Sequence, residues 1–148
     1  MEWVARLHGK LVSLDTAPFI YFIEDHPSYA PQLVALFEAV EQGRIRIATS
    51  VVTLAEVLVR PLRERQADLV TEYRDILLGS PGVEALPVSA AIAERAAELR
   101  AAHGLRTPDA IQLATAMDAG AAAFLTNDTR LRTVAGLEVL ILAELRGV

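Results

Sequence analysis

The chain has 148 residues, with 14 Lys or Arg against 19 Asp or Glu, so its formal net charge is −5. Hydrophobic residues at 53% and charged residues at 22% exclude a disordered or fibrous protein and favour one packed domain over residues 1–148. The lack of Cys excludes disulfides, thiol nucleophiles and Cys-based zinc sites. The negative charge argues against a broad electrostatic grip on nucleic acid, although it leaves a local one open.

The N-terminal segment MEWVARLHGK has no apolar stretch of the kind that a signal peptide needs. No apolar run in the chain approaches the roughly 20 residues of a transmembrane helix. These two features predict a soluble cytoplasmic protein that makes no membrane contact.

Strands and helices are predicted to alternate along the chain. Apolar runs predict strands at residues 11–14, 45–48, 83–88, 122–125 and 139–142. Helical periodicity predicts helices at residues 17–23, 29–41, 51–59, 61–78, 90–103 and 107–117. Pro61 is expected to open a new helix, because a proline disfavours helical geometry at the residue before it. This order predicts an α/β fold with a mostly parallel central sheet and helices on both faces.

Common catalytic motifs are missing, which narrows the possible chemistry. The sequence holds no GxxxxGK[ST] phosphate loop, no GxGxxG dinucleotide loop and no GxSxG nucleophile elbow. His8, His26 and His103 are scattered without the spacing of metal ligands. Carboxylates are the remaining candidates for chemistry.

Four carboxylates occupy informative positions. Asp15 ends the first predicted strand, and Asp128 follows the strand at residues 122–125. Parallel strands end at one edge of the sheet, where α/β proteins bind ligands, so these two acids should meet there. Asp109 lies in the first turn of a predicted helix, and Glu56 is the single charged residue of residues 48–59.

Each of these acids also has a possible structural role. Asp15 and Asp128 fit the N-cap position of a helix, which Asp often fills. Asp109 would interact favourably with a helix dipole, and Glu56 could face water. The sequence alone leaves both interpretations open for each residue.

Four segments carry a family resemblance: VSLDTAPFIYFIE, TLAEVL, RTPDAIQLATAMDAG and AFLTNDTRL. They resemble the motifs of PIN domains, in the same order and over nearly the whole chain. Those motifs are a strand ending in Asp-Thr, a helix with an inward Glu, an Asp that opens a helix, and Thr-Asn-Asp after a strand. Within that family the chain is most similar to VapC-type toxins of toxin–antitoxin pairs.

The resemblance implies an endoribonuclease that depends on Mg²⁺ or Mn²⁺ and holds the metal through Asp15, Glu56, Asp109 and Asp128. Four clustered carboxylates repel one another and need a cation or raised pKa values, and ligands that are all oxygen favour hard ions such as Mg²⁺. The resemblance also implies supporting hydroxyls, a cognate antitoxin and a homodimer. The supporting hydroxyls are Thr16 and Thr126.

Three arginines are candidates for contact with RNA phosphates because they lie close in sequence to Asp109 and Asp128. These are Arg106, Arg130 and Arg132. Solvated charge at helix ends is the alternative explanation. The apolar helix at residues 17–23 is either core or part of a groove, formed with helices 29–41 and 61–78, that takes an antitoxin helix.

Two other functions fit the same residues. One is a PIN-fold nuclease outside a toxin–antitoxin system, acting on DNA or in RNA processing. The other is a PIN module that binds without catalysis, although a full set of four acids argues against it. A small antitoxin gene directly upstream would favour the toxin.

Overall fold

The computed structural model describes residues 1–134 and 136–145, which form an α/β fold. The described strands are Leu11–Leu14 (β1), Arg46–Ser50 (β2), Val83–Leu86 (β3), Ala123–Thr126 (β4) and Val139–Ile141 (β5). The described α-helices are Glu2–Ala5 (α1), Thr16–Ile23 (α2), Ala30–Glu41 (α3), Val51–Arg63 (α4), Ala67–Arg74 (α5), Ala90–His103 (α6) and Thr107–Asp118 (α7). A π-helical turn, Asp75–Gly79, extends α5, and 3₁₀ turns occupy Thr129–Thr133 and Leu142–Leu145.

The five strands form one sheet in the order β3-β2-β1-β4-β5. Every pair of neighbouring strands is parallel. Parallel pairing follows from the helical crossovers, since a chain must cross the sheet before it can add a strand in the same direction. The predicted α/β fold is confirmed, and the sheet is parallel throughout its described pairs.

Helices cover both faces of the sheet, as predicted. Successive residues of a strand point to opposite faces, and β4 shows both. Leu125 packs into the larger core, to which α1 to α5 contribute. Phe124 packs on the other side with Leu113 of α7 and with Leu131, and α6 packs against α7. The central strands are therefore buried on two sides, which explains their nearly continuous apolar sequences.

The predicted strand ends agree with the structure to within a residue or two, but the predicted helix break at Pro61 is wrong. α4 continues through Pro61 to Arg63, where the proline removes one hydrogen bond near the last turn. The helix ends at a Schellman motif, in which Gln66 N–H donates to Pro61 O at 2.8 Å and Arg65 N–H donates to Leu62 O at 3.3 Å. Arg65 holds the left-handed position, with a φ of 56°, that glycine usually fills.

The short helix α1 was not among the predicted elements. Trp3 and Val4 on this helix are buried in the larger core. Four residues are too few for a helical pattern to be recognised in the sequence, so the packing of the N-terminal segment emerges only in three dimensions.

An apolar cavity of about 350 Å³ opens between α2, α3 and the segment that joins α5 to β3. Phe22 and Phe37 line it and stack with their ring centroids 4.2 Å apart. This cavity lies where the sequence predicts an apolar groove for an antitoxin helix, and that use of it stays a prediction.

Every helix among the described residues is too short or too polar to span a lipid bilayer.

Candidate active site

The acidic residues collect where the order of strands reverses. The chain runs outward from β1 through β2 to β3, and then returns to the other side of β1 with β4 and β5. Such a switch point leaves a crevice at the carboxyl ends of the two strands that flank it, which are β1 and β4 here. Asp15 directly follows β1, and Asp128 lies just beyond β4.

Asp15 lies at the centre of this site. Its Oδ1 accepts the backbone N–H of Thr16 at 2.8 Å, which makes Asp15 the N-cap of α2, and its Oδ2 accepts the hydroxyl of Thr126 at 2.8 Å. Burial raises the pKa of Asp15, the two hydrogen bonds oppose that rise, and the charges of Asp109 and Glu56 add to it. Asp109 and Glu56 are therefore each near enough for their charges to act on Asp15.

Two threonines connect Asp15 with further acids. Thr16 donates its hydroxyl to Glu56 Oε1 at 2.8 Å, while its backbone N–H contacts Asp15. Thr126 donates its hydroxyl to Asp15 and accepts the backbone N–H of Asp128 at 3.1 Å. Each threonine thus links Asp15 to a second acidic residue, and Glu56 reaches the site from an exposed position on α4.

Asp109 is held by an arginine from the same helix end. Its side chain is 12% exposed, and its Oδ2 accepts Arg106 Nε at 3.2 Å. Arg106 itself is 70% exposed, so water solvates most of the cation. The spacing of three residues brings the two side chains to one face of the helix start.

Asp128 makes a similar but closer pair with Arg130. The Arg130 guanidinium donates from Nε at 3.0 and 3.2 Å and from Nη2 at 2.6 Å, so both carboxylate oxygens are contacted. Asp128 also caps the 3₁₀ turn by accepting the backbone N–H of Arg130 at 3.0 Å. The hydrogen bond to Arg130 is the main reason why the pKa of Asp128 is lowered.

Arg132, the third predicted phosphate contact, takes a different partner. It forms an ion pair with Glu144 in the 3₁₀ turn that follows β5. The structure therefore brings Arg106 and Arg130 to the acids and directs Arg132 to the C-terminal turn.

A buried polar network beneath the acids was not predicted from the sequence. Gln112 donates to the Thr53 hydroxyl at 2.7 Å and accepts the backbone N–H of Ser50 at 3.2 Å. Thr49 shares a hydrogen bond of 2.7 Å with Thr53, and Thr53 lies 3.4 Å from the hydroxyl of Thr16. The available signal was spacing, because Gln112 is three residues beyond Asp109 and Thr53 is three residues before Glu56, on the same helix faces.

An open cavity of about 420 Å³ lies over Asp15 and Asp128, while Glu56 and Asp109 are not among the residues that line it. Its lining comes from α2, the end of β4 and the loop after it: Asp15, Ala17, Tyr21, Thr126, Asn127, Asp128, Thr129 and Arg130. In residues 1–134 and 136–145, no three Asp, Glu or His side chains converge as a ready-made group of metal ligands. The acids are instead paired with arginines and threonines.

The sequence profile of the PIN domain family matches residues 12–137. A comparison with curated protein sequences gives no significant match. Solved structures do match, one of them a chain of VapBC2 from Rickettsia felis bound to a DNA fragment from their promoter. That chain is 20% identical, with a TM-score of 0.69, over 88% of this chain and 98% of that chain.

Two further structures are similar to the same degree. A chain of DNA-bound VapBC from Salmonella typhimurium is 18% identical, with a TM-score of 0.66, over 90% of this chain and 98% of that chain. A chain of a toxin–antitoxin complex from Klebsiella pneumoniae is 24% identical, with a TM-score of 0.63, over 88% of this chain and 97% of that chain.

These comparisons establish the family. The chain belongs to the PIN domain family, because the profile covers most of its length. Its fold is shared with chains of VapBC assemblies. The resemblance to PIN domains that the sequence motifs predicted is confirmed.

Proposed function

We propose that the chain is a metal-dependent endoribonuclease and acts as the toxin of a toxin–antitoxin pair. The observation that carries the proposal is a cavity at the switch point of a PIN-family sheet that Asp15 and Asp128 both line, with Glu56 linked to Asp15 through Thr16 and the charge of Asp109 acting on Asp15. A cleft at this position is where a parallel sheet binds its ligand. The VapBC names of the similar structures support the toxin assignment.

The donor set fits a hard divalent cation. All four acids offer oxygen ligands, and oxygen is the preferred ligand of Mg²⁺ and Mn²⁺. Burial raises the pKa of Asp15, and the charges of Asp109 and Glu56 add to that rise, so a cation beside Asp15 would be favourable. Asp15 and Asp109 would hold the ion directly, and Asp128 would hold it directly or through water. When bound, such an ion activates water and stabilises the charge that develops on a phosphate.

The other residues orient these ligands. Thr126 fixes Oδ2 of Asp15 by its hydroxyl, and Thr16 fixes Glu56, which would orient the attacking water or act as a ligand. Hydrogen bonds of this kind set the rotamers of ligands and raise the precision of the site. The two threonines are therefore proposed as supporting residues.

Arg106 and Arg130 have a double role in this proposal. In the structure they neutralise Asp109 and Asp128, and they contact oxygens that a cation would need. Both arginines are more than two-thirds exposed, so either can turn away from its acid with little loss of packing. A released arginine at the rim of the cleft would then contact the RNA backbone.

The double role predicts that Arg130→Gln changes two affinities in opposite directions. Mn²⁺ should bind severalfold more tightly, because the exposed ion pair of Arg130 no longer competes for Asp128. RNA should bind more weakly, with a salt slope reduced by about one phosphate contact. Isothermal titration calorimetry with Mn²⁺ and fluorescence anisotropy with labelled RNA measure the two effects.

Arg132→Gln is the matched control for the metal titration, because Arg132 pairs with Glu144 instead. It should leave the affinity for Mn²⁺ unchanged. An Arg130→Gln protein that matches wild type in both titrations would contradict the double role.

The proposed partners are an RNA substrate, a cognate antitoxin and a second copy of the chain in a cytoplasmic homodimer. The test uses the purified chain and any small protein that is encoded directly upstream of its gene. We expect cleavage of single-stranded RNA with Mg²⁺ or Mn²⁺. Cleavage should stop when EDTA removes the metal and when the upstream protein is added.

The other outcomes separate the competing functions. Unchanged cleavage in EDTA would end the metal-dependent proposal. Cleavage of single-stranded DNA but not RNA would indicate a DNA nuclease, and RNA binding without cleavage would indicate an inactive binding module. Cleavage that the upstream protein does not affect would place the nuclease outside a toxin–antitoxin system.

A further inference from the structure

Tyr21 lines the acidic cavity from α2. It lines that cavity together with Asp15, Asp128 and Arg130. Ala17, one helical turn earlier on α2, lines the same wall with only a methyl group, which leaves the ring of Tyr21 as the main aromatic surface of this wall. None of the roles derived above uses this ring.

The neighbouring aromatic residue on α2 faces elsewhere. Phe22 lines the separate apolar cavity and stacks on Phe37. Consecutive residues of a helix point about 100° apart, so α2 presents one ring to each cavity. Tyr21 is the ring that borders charged groups and water.

The end of α2 holds the Tyr21 ring in place. Asp25 takes a left-handed conformation, with a φ of 53°, and this turns the chain so that His26 N–H donates to Tyr21 O at 2.9 Å. The same turn brings the His26 ring to 4.7 Å from the Tyr21 ring, measured between centroids. His26 is itself fixed, because its Nδ1 accepts the backbone N–H of Ser28 at 3.1 Å.

Tyr29 completes a cluster of three rings. Its centroid lies 5.0 Å from that of Tyr21 and 4.9 Å from that of His26, and the Tyr29 and His26 rings are stacked at an interplanar angle of 26°. Contacts at these distances are favourable for aromatic rings and restrict their motion. Tyr21 is therefore a preorganised flat surface beside the acids, supported from the protein side by two further rings.

We infer that Tyr21 stacks against an unpaired nucleobase of the substrate, next to the phosphate that lies over the acids; this inference rests on the proposed nuclease function. Single-stranded nucleic acids are held by stacking of bases on aromatic side chains together with charge contacts to the backbone. The cavity offers both, because Tyr21 of α2 and Arg130 of the loop after β4 each line it. A base inside a duplex is stacked on its neighbours, so this arrangement selects unpaired nucleotides near the cleavage point.

The test is a thermodynamic cycle in which the Tyr21 ring and the bases of the strand are removed separately and together, and the binding affinity is measured each time. Wild type, Tyr21→Leu and Tyr21→Phe are titrated, in Ca²⁺ to suppress cleavage, with labelled oligoadenylate and with an abasic strand of the same phosphate count. Fluorescence anisotropy reports the affinities. Phe22→Leu is the matched control, because it removes the adjacent ring of α2 that faces the other cavity.

Wild type should bind oligoadenylate about tenfold more tightly than Tyr21→Leu does, which is the scale of one stacked base. Tyr21→Phe and Phe22→Leu should stay near wild type. With the abasic strand the difference between wild type and Tyr21→Leu should disappear, because there is no base to stack. Wild type alone can be compared on the two strands, so the stacking inference remains testable even if Tyr21→Leu folds poorly.

Different results would contradict the stacking inference and the proposed nuclease function. If wild type binds the base-containing and the abasic strand equally well, or if Tyr21→Leu loses affinity for both strands alike, stacking on Tyr21 is wrong while the nuclease proposal stands. If wild type binds neither strand and cleaves no RNA, the proposed function is wrong and the stacking inference falls with it.

Discussion

Asp15→Asn should abolish RNA cleavage and leave the fold at least as stable as that of the wild type. The amide keeps the shape of the carboxylate but removes its charge from the proposed metal site. Loss of a residue that only supports a metal ligand lowers activity about 10–100-fold, so loss of a ligand itself should lower cleavage by at least about 100-fold. Gel assays of labelled RNA with Mg²⁺ or Mn²⁺ measure this effect.

Asp15→Asn should leave the stability of the protein unchanged or raise it, although it abolishes cleavage. Burial, together with repulsion from Asp109 and Glu56, raises the pKa of Asp15, so the folded state disfavours the charged carboxylate. A raised pKa in the folded state means that wild type gains stability as pH falls through that pKa and loses it as pH rises. The neutral Asn avoids that loss, and it remains a good N-cap for α2. Above the raised pKa, the melting temperature of Asp15→Asn should equal or exceed that of wild type.

Asp118→Asn is the matched control, since Asp118 is an exposed acid at the far end of α7. It should preserve cleavage within about twofold of wild type. Full cleavage by Asp15→Asn would remove Asp15 from the metal site. A large drop in melting temperature would show that Asp15 acts mainly as a structural cap.

The sequence predicted the position of Asp15 and Asp128 because topology determines it. Each acid follows a strand, and parallel strands end at one edge. The sequence left open whether these residues are caps or site residues, and the structure shows that capping does not keep either residue from lining the cavity. Asp15 caps α2 through Thr16, and Asp128 caps a 3₁₀ turn through Arg130, while both face one cavity.

Other features could not be predicted because they depend on long-range packing or on an unusual residue. The end of α4 relies on Arg65 in a left-handed conformation, where a Gly would have been the recognisable signal. The contact between Arg130 and Asp128 joins residues two apart at the start of a 3₁₀ turn, outside the pairs three or four residues apart that helix spacing predicts. Gln112 contacts residues about 60 positions earlier in the chain.

Gln112→Leu tests whether the buried network supports the site. Gln112 is 1% exposed, and its amide satisfies both the Thr53 hydroxyl and the backbone N–H of Ser50. Leucine has a similar volume but leaves these two buried groups without that partner, which should lower the free energy of unfolding by about 1–3 kcal/mol. Urea denaturation measures the loss.

Cleavage should fall as well in the folded fraction of Gln112→Leu. Gln112 positions Thr53, whose hydroxyl lies 3.4 Å from that of Thr16, and Thr16 holds Glu56. A shift of Thr53 should therefore disturb Thr16 and, through it, the position of Glu56, which Gln112 does not contact. Assays below the denaturation range separate this effect from unfolding.

Gln32→Leu provides the matched control for the stability measurement. Gln32 is also buried, at 4% exposed, but its Nε2 makes a single longer hydrogen bond of 3.3 Å to Leu142 O. Within the described part of the chain its Oε1 is buried without a hydrogen-bond partner. Replacing it removes an unsatisfied acceptor, so Gln32→Leu should destabilise less than Gln112→Leu and should leave cleavage unchanged. Equal losses for the two variants would mean that burial of the amide matters more than its network, and Gln112 would then have no special link to the acids.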